Sequence, residues 1–155
     1  MAHIHEKIDF TASVYIVRED KVLLHMHKKL GIWLPPGGHI ELDEDPNQAV
    51  IREAKEETGF DIELVGTIVE KTFEPDQERD LLPPRFMNRH WFDATRTHEH
   101  IDSVYFGRVV SGTLEAEVEG TRIGWFTRDQ IEKQEIPLHP RITYYCLAAL
   151  DALAQ

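Results

Sequence analysis

The chain has 155 residues, 41% of them hydrophobic, which suits one ordinary buried core, expected to span 1–155 as a single domain. A formal net charge of −11 argues against gripping a nucleic-acid polymer by bulk electrostatics, so a small anionic substrate would need a metal ion or clustered Arg and Lys. The single cysteine, Cys146, excludes an internal disulfide and a four-cysteine zinc site; no apolar run approaches the roughly 18 residues of a membrane span, and the start "MAHIHEKIDF" lacks the apolar core of a signal peptide, so the cytoplasm is the expected location.

In chain order, "TASVYIVR" and "KVLLHMH" stand on either side of the turn-like "EDK" and predict two paired strands. The Pro and Gly punctuation of "GIWLPPGGHIEL" forbids a helix and predicts a loop flanked by short extended pieces. A helix should start at Asp45-Pro46, with Asp45 as N-cap, Pro46 in the first turn and Gln48 as capping-box partner, and should end at Gly59. Extended chain is expected over "FDIELVGTIVEKTF", then a polar loop "EPDQERDLLPPRF" long enough to suggest function. Further strands are expected at "RHWFDAT", "IDSVYFGRVV" and "RIGWF". A last helix from about Pro140 to Ala154 carries Ile142, Cys146, Ala149 and Leu153 at helical spacing. The fold class is α+β, a mixed sheet between a central and a C-terminal helix.

The central helix contains "REAKEETGF". At about 100° per residue, Glu53, Glu56 and Glu57 share one sector, and Val50, Ile51, Ala54 and Thr58 occupy the adjacent one. Like charges at this spacing repel by roughly a few tenths of a kcal/mol per pair, so folding does not favour the arrangement. A hard divalent cation would reverse the sign, because Mg²⁺ takes oxygen ligands shared among carboxylates, water and phosphates. Taken alone, such a run reads more readily as a solvated acidic face with Arg52 and Lys55 as partners.

Its surroundings change that reading. Gly38 is followed after five residues by Glu44, then after seven by Arg52-Glu53, Ala54, Lys55, Glu56-Glu57, Thr58, Gly59 and Phe60. The pattern resembles the Nudix box, Gx5Ex7REUxEExGU with U a bulky or aliphatic residue, at every fixed position, although Ala54 is smaller than usual. "WLPPGGHIE" is similar to the family's approach to that box apart from the extra Pro35, and "IGWFTRDQIEKQEIPL" is similar to its late tryptophan strand and short acidic helix.

The resemblance implies a Nudix-type α/β/α sandwich and a MutT-like hydrolase that cleaves a pyrophosphate joined to a nucleoside and another group, using Mg²⁺ or Mn²⁺. It implies Glu56 and Glu57 as main metal ligands, Glu53 as a further ligand or base, the Gly38 carbonyl as an added ligand, and Arg52 as an organiser pairing with a carboxylate such as Glu44. Glu41 is a second-tier candidate beside Glu44. Some relatives draw a base from a late loop, for which Glu115, Glu117 and Glu119 in "TLEAEVEGT" are candidates. Their alternation also fits a half-buried strand with a solvated acidic face, and Glu119, beside Gly120, is the preferred functional candidate. A binding or regulatory module that had lost catalysis should lack a box acid, whereas all are present. The family's isomerase branch relies on an active-site cysteine, for which Cys146 in the last helix is poorly placed.

The substrate is expected to be a small nucleotide. Arg79, Arg85, Arg89 and Arg96 are interleaved with Phe86, Trp91 and Phe92, a mixture suited to phosphates and bases; Arg85, Arg89, Phe86 and His98 form the candidate substrate set. The competing reading packs the aromatics in the core, as is expected for Trp33 and Trp125. Pro75, in its placement after Gly59, resembles ADP-ribose-type members. His25/His27 and His98/His100 each supply two ligands by spacing, fewer than zinc needs, so they read as surface or partly buried strand histidines. Dimerisation is common in relatives, but no residue here demonstrates a homodimer.

Overall fold

Alternation along the first strand divides the hydrophobic residues into two sets. β1 (Ile8–Arg18) sends Ala12, Val14 and Ile16 to one face of the sheet and Tyr15 and Val17 to the other, and each set belongs to its own buried cluster. The computed structural model describes residues 5–71 and 73–154. The strands that follow are β2 (Lys21–His27), β3 (Ile32–Leu34) and β4 (Gly37–His39), before the helix α1 (Pro46–Thr58). Then come β5 (Phe60–Leu64), β6 (Phe86–Trp91), β7 (Glu99–Gly112), β8 (Ile123–Thr127), a short α2 (Arg128–Glu132) and α3 (Pro140–Leu153).

β1 and β7 run parallel through the middle, in register from Ile8↔Glu99 to Ile16↔Gly107. β4 pairs antiparallel with β1 through Thr11↔His39, and β2 joins the far end of β1 and carries β3 and β8. β5 and β6 pair with opposite ends of β7. α1 packs on the face bearing Ala12, Val14 and Ile16, while α3 buries Tyr145, Cys146, Ala149, Leu150 and Leu153 against the other. The result is a mixed-sheet α+β sandwich. Among the described residues no helix is long and apolar enough to cross a membrane.

The box helix follows its local signals. Asp45 accepts from the Gln48 backbone N–H at 2.9 Å while the Gln48 side chain accepts from the Asp45 N–H at 3.0 Å, a complete capping box. At the other end Gly59 adopts φ +77°, and its N–H donates to the Lys55 carbonyl.

Four expectations change. Ile51 is 40% exposed and leaves the apolar wall to Ala49, Val50, Ala54 and Thr58. The extended stretch after α1 stops at Leu64 instead of running to Phe73, with Thr72 lying outside the described residues. Beyond it the chain leaves the sheet, and Leu82, buried, is bracketed by the Asn47 side chain, which donates to its carbonyl and accepts from its N–H. The "RHWFDAT" strand is centred upstream, at Phe86–Trp91. "TLEAEVEGT" is not a strand: it passes the C-terminal end of α1, the Glu115 N–H donating to the Thr58 carbonyl, and among the described residues no strand pairs with it to reward its alternation.

Because Ala54 is fully buried under β1, enlarging it should drive α1 off the sheet. Ala54→Leu is expected to lose roughly 1–3 kcal/mol of stability, read as a lower urea midpoint at unchanged slope.

Candidate active site

The main chain of β4 passes directly under the acidic face of α1. The Gly37 N–H donates to Glu57 Oε2 at 2.8 Å, and a Cβ on Gly38 would lie 2.4 Å from Glu53 Oε1. A Cβ on Gly37 would meet the Ala12 carbonyl at 2.4 Å, so close approach to β1 requires glycine there, while a Cβ on Gly38 would push the Glu53 carboxylate out of place.

Arg52 ties this contact together. Its Nε and Nη2 grip both oxygens of Glu44 at 2.5 and 2.9 Å, Nη1 reaches Glu53 at 2.7 Å and Glu56 at 3.1 Å, and Nη2 also donates to the His39 carbonyl at 3.1 Å. The fork geometry of guanidinium makes these contacts simultaneous, which an ammonium would not do. The Arg52 hydrogen bonds hold the Glu44 carboxyl below its ordinary range. Glu53 moves the other way, because burial outweighs its bond to Arg52.

Glu57 is the most perturbed of the three. Burial, reinforced by Glu53, Glu117 and Glu56 and opposed by the Gly37 N–H, lifts it from 4.5 to about 8. His25 Nε2 lies 3.6 Å from Glu57 Oε2, but burial also lowers His25, so at neutral pH this is a contact between two mostly uncharged groups. The donor set fits a hard divalent cation: its side-chain ligands are carboxylates, they repel one another, and one of them is kept protonated until positive charge arrives.

The structure brings together Gly38, Arg52, Glu53, Glu56 and Glu57. Of the late glutamates, Glu117 is close enough to raise both Glu53 and Glu57. Glu119 is exposed, and its main-chain carbonyl accepts from Lys28 Nζ at 2.8 Å. Glu117, one of the three late candidates, is thus the neighbour of the box in place of the preferred Glu119, and His25, read from its spacing only as a strand histidine, reaches Glu57 from β2. Glu41 contributes its N–H to Glu44 at 3.1 Å, and Arg79, in the long loop, reaches the Asp45 cap at 2.7 Å.

The candidate substrate set is dispersed. Phe86 stacks on Tyr145 at 4.9 Å and meets Phe106 and Tyr144 edge-on, a packing position in the α3-side core. Arg85 is exposed, its guanidinium over the Phe106 ring at 5.5 Å, and Arg89 is paired with Glu99 through two hydrogen bonds. His98 and His100 are buried, not surface residues, and His98 contacts Asp9. Also on the α3 side, half-buried Asp102 accepts from Thr11 and Ser13 at 2.9 and 2.7 Å, and desolvation raises its carboxyl above the ordinary value.

Comparison with known proteins identifies the family and the fold. The NUDIX domain pattern matches residues 7–146. A "MutT-like protein" of Streptomyces ambofaciens is 31% identical over 140 residues, covering 89% of this chain and 72% of that protein. A "Probable DHNTP pyrophosphohydrolase" of Lactococcus lactis subsp. cremoris is 37% identical over 67 residues, covering 43% of this chain and only 40% of that one. The crystal structure of a NUDIX-family hydrolase from Clostridium perfringens superposes with a TM-score of 0.82 at 35% identity, over 93% of this chain and 97% of that one.

Glu57 gives the metal-free fold a defined pH dependence. Its folded pKa stands above the ordinary 4.5, so its contribution is fully present below about 4.5 and is lost as the pH rises to about 8. In chelator-treated protein, wild type should lose stability relative to Glu57→Gln across that window, by at most about 1.4 kcal/mol per pH unit. Parallel urea-unfolding profiles for the two proteins would refute the assignment.

Proposed function

The chain belongs to the NUDIX domain family of hydrolases, and from that premise we propose that it cleaves a pyrophosphate bond in a nucleoside diphosphate joined to another group, or in a nucleoside triphosphate, with Mg²⁺ or Mn²⁺ bound at the box carboxylates. The observation that carries the reading is the convergence of Glu53 and Glu57 on the Gly37-Gly38 backbone, with Glu56 drawn beside them by Arg52 and Glu57 pushed up to about 8. Glu56 and Glu57 are the proposed main ligands, with Glu53 and the Gly38 carbonyl beside them. Bound there, the cation supplies neutralisation of phosphate oxygens and an activated water.

The chain's own residues do the positioning. Arg52 holds Glu44, Glu53 and Glu56 in one orientation and pins the His39 carbonyl, so the carboxylates are preorganised before substrate arrives. Phosphoanhydride cleavage asks little covalent chemistry of a protein and much of its positioning, which this framework provides. Glu53, raised by burial, is suited to hold a proton taken from water, and Glu117 offers a second carboxylate on the same side. Leu82 and Arg79 of the connection after β5 are anchored to Asn47 and Asp45 at the N-terminal end of α1, which is the proposed border for the moiety beyond the pyrophosphate.

A panel of nucleotide substrates with product identification tests the reaction class. Glu56→Gln and Glu57→Gln should each lower metal-dependent turnover on the order of 10²–10⁴-fold, Glu117→Gln by about 10–100-fold, and Glu119→Gln by less than about twofold. Equal turnover in wild type and the Glu56→Gln/Glu57→Gln double variant would sink the ligand assignment.

A further inference from the structure

On β4, Gly38 faces the acidic helix, and alternation turns the His39 side chain to the opposite face of the sheet. There it meets the first residues of β1 and β7. Asp9 is fully buried, His98 and His100 are 5% and 8% exposed, and the His39 side chain is 14% exposed. A single oxygen, Asp9 Oδ2, lies 3.0 Å from Nε2 of both His39 and His98. Donor atoms of Asp9, His98 and His100 all fall within 4.8 Å of one another, and the His100 ring stands 5.1 Å from His39 and 5.6 Å from His98. Phe92 covers His100 at 4.9 Å, and Asp9 Oδ1 is occupied by the His5 N–H at 2.8 Å.

The hydrogen bonds fix one ring. His98 Nδ1 lies 3.1 Å from the Glu6 carbonyl, and a carbonyl only accepts, so Nδ1 carries the hydrogen. Its Nε2 faces a carboxylate oxygen at 3.0 Å. A contact of this length needs either a proton between the two atoms, on the ring or on the carboxyl, or a cation that both ligate. A ring held by Nδ1–H to a main-chain carbonyl, with Nε2 turned inward, is the orientation that metal-binding histidines adopt.

We propose that Asp9, His39, His98 and His100 form a second metal site, of three imidazoles and one carboxylate, that takes Zn²⁺ or a similar transition ion and is separate from the box carboxylates. Four nitrogen and oxygen ligands at about 2.0–2.2 Å in a tetrahedron lie roughly 3.3 Å apart; the two 3.0 Å contacts of Asp9 Oδ2 match that spacing, and His100 lies within 4.8 Å of Asp9 and His98. The box offers oxygen alone and suits Mg²⁺ or Mn²⁺, whereas imidazole selects zinc-like ions, so the two sites differ in kind. Occupancy would tie β4 across β1 to β7 at His39, whose carbonyl Arg52 also grips.

The test uses the untagged full chain and Co²⁺ as probe. One equivalent should give the strong visible absorption of a tetrahedral site, be displaced by Zn²⁺, and persist in Glu56→Gln/Glu57→Gln. Binding should weaken at least about 100-fold in His98→Gln and His100→Gln. Since either substitution in a buried cluster could unfold the chain, the Co²⁺-loaded wild type provides an independent reading: three hyperfine-shifted, exchangeable imidazole protons in the NMR spectrum. Absence of a tetrahedral spectrum in wild type, its loss in the box variant, or its survival in folded His98→Gln and His100→Gln would each overturn the proposal.

Discussion

The structure depends on how closely the Gly37-Gly38 backbone approaches the acidic face of α1. A Cβ on Gly38 would displace the Glu53 carboxylate, a Cβ on Gly37 would strike the β1 backbone, and the approach brings main-chain groups of β4 into the reach of Glu57 and Arg52. Arg52 makes it tolerable by binding Glu44, Glu53, Glu56 and the β4 carbonyl at once, so one guanidinium orients the loop, the strand and the helix. Two like charges about 4 Å apart repel by on the order of 4 kcal/mol at an effective dielectric near 20, far more than helix propensity returns. A crowd of carboxylates is held there by packing around it, chiefly the small residues Ala49, Val50 and Ala54 beneath.

Arg52 does not complete the balance. Glu57 answers the shortfall by keeping its proton well past the ordinary range, and His25 beside it stays neutral because it too is buried. The metal-free site is thus nearly uncharged at its deepest point and more ionised at its rim, where Glu56 is half exposed. A divalent cation and an anionic phosphate chain complete such a site in a chain whose net charge is otherwise unfavourable to anions.

β4 also separates two chemistries. One face carries oxygen donors on α1, and the other carries imidazoles gathered around Asp9, three of them from chain positions 39, 98 and 100. The parallel pairing of β1 with β7 sets Asp9 opposite His100, and the pairing of β1 with β4 brings His39 alongside Thr11. Because a strand presents successive side chains to opposite faces, neighbouring residues such as Gly38 and His39 serve different clusters.

The box helix was legible in the sequence down to its caps, because a helix depends on groups three and four residues apart and on the turn at each end; Asp45, Gln48 and Gly59 act where the spacing puts them. The acidic spacing and the family resemblance were legible for the same reason. Local signals misled where no partner strand existed: "TLEAEVEGT" alternates like a strand but runs as a connection, and that path turns Glu117 rather than Glu119 toward the box. The histidine pairs showed two ligands by spacing and no more. The sequence by itself determined the acidic helix and its chemistry, which lie within one short segment. Only the tertiary structure decided which late glutamate faces that helix and which residues surround Asp9, because those contacts depend on strand register between segments about 90 residues apart.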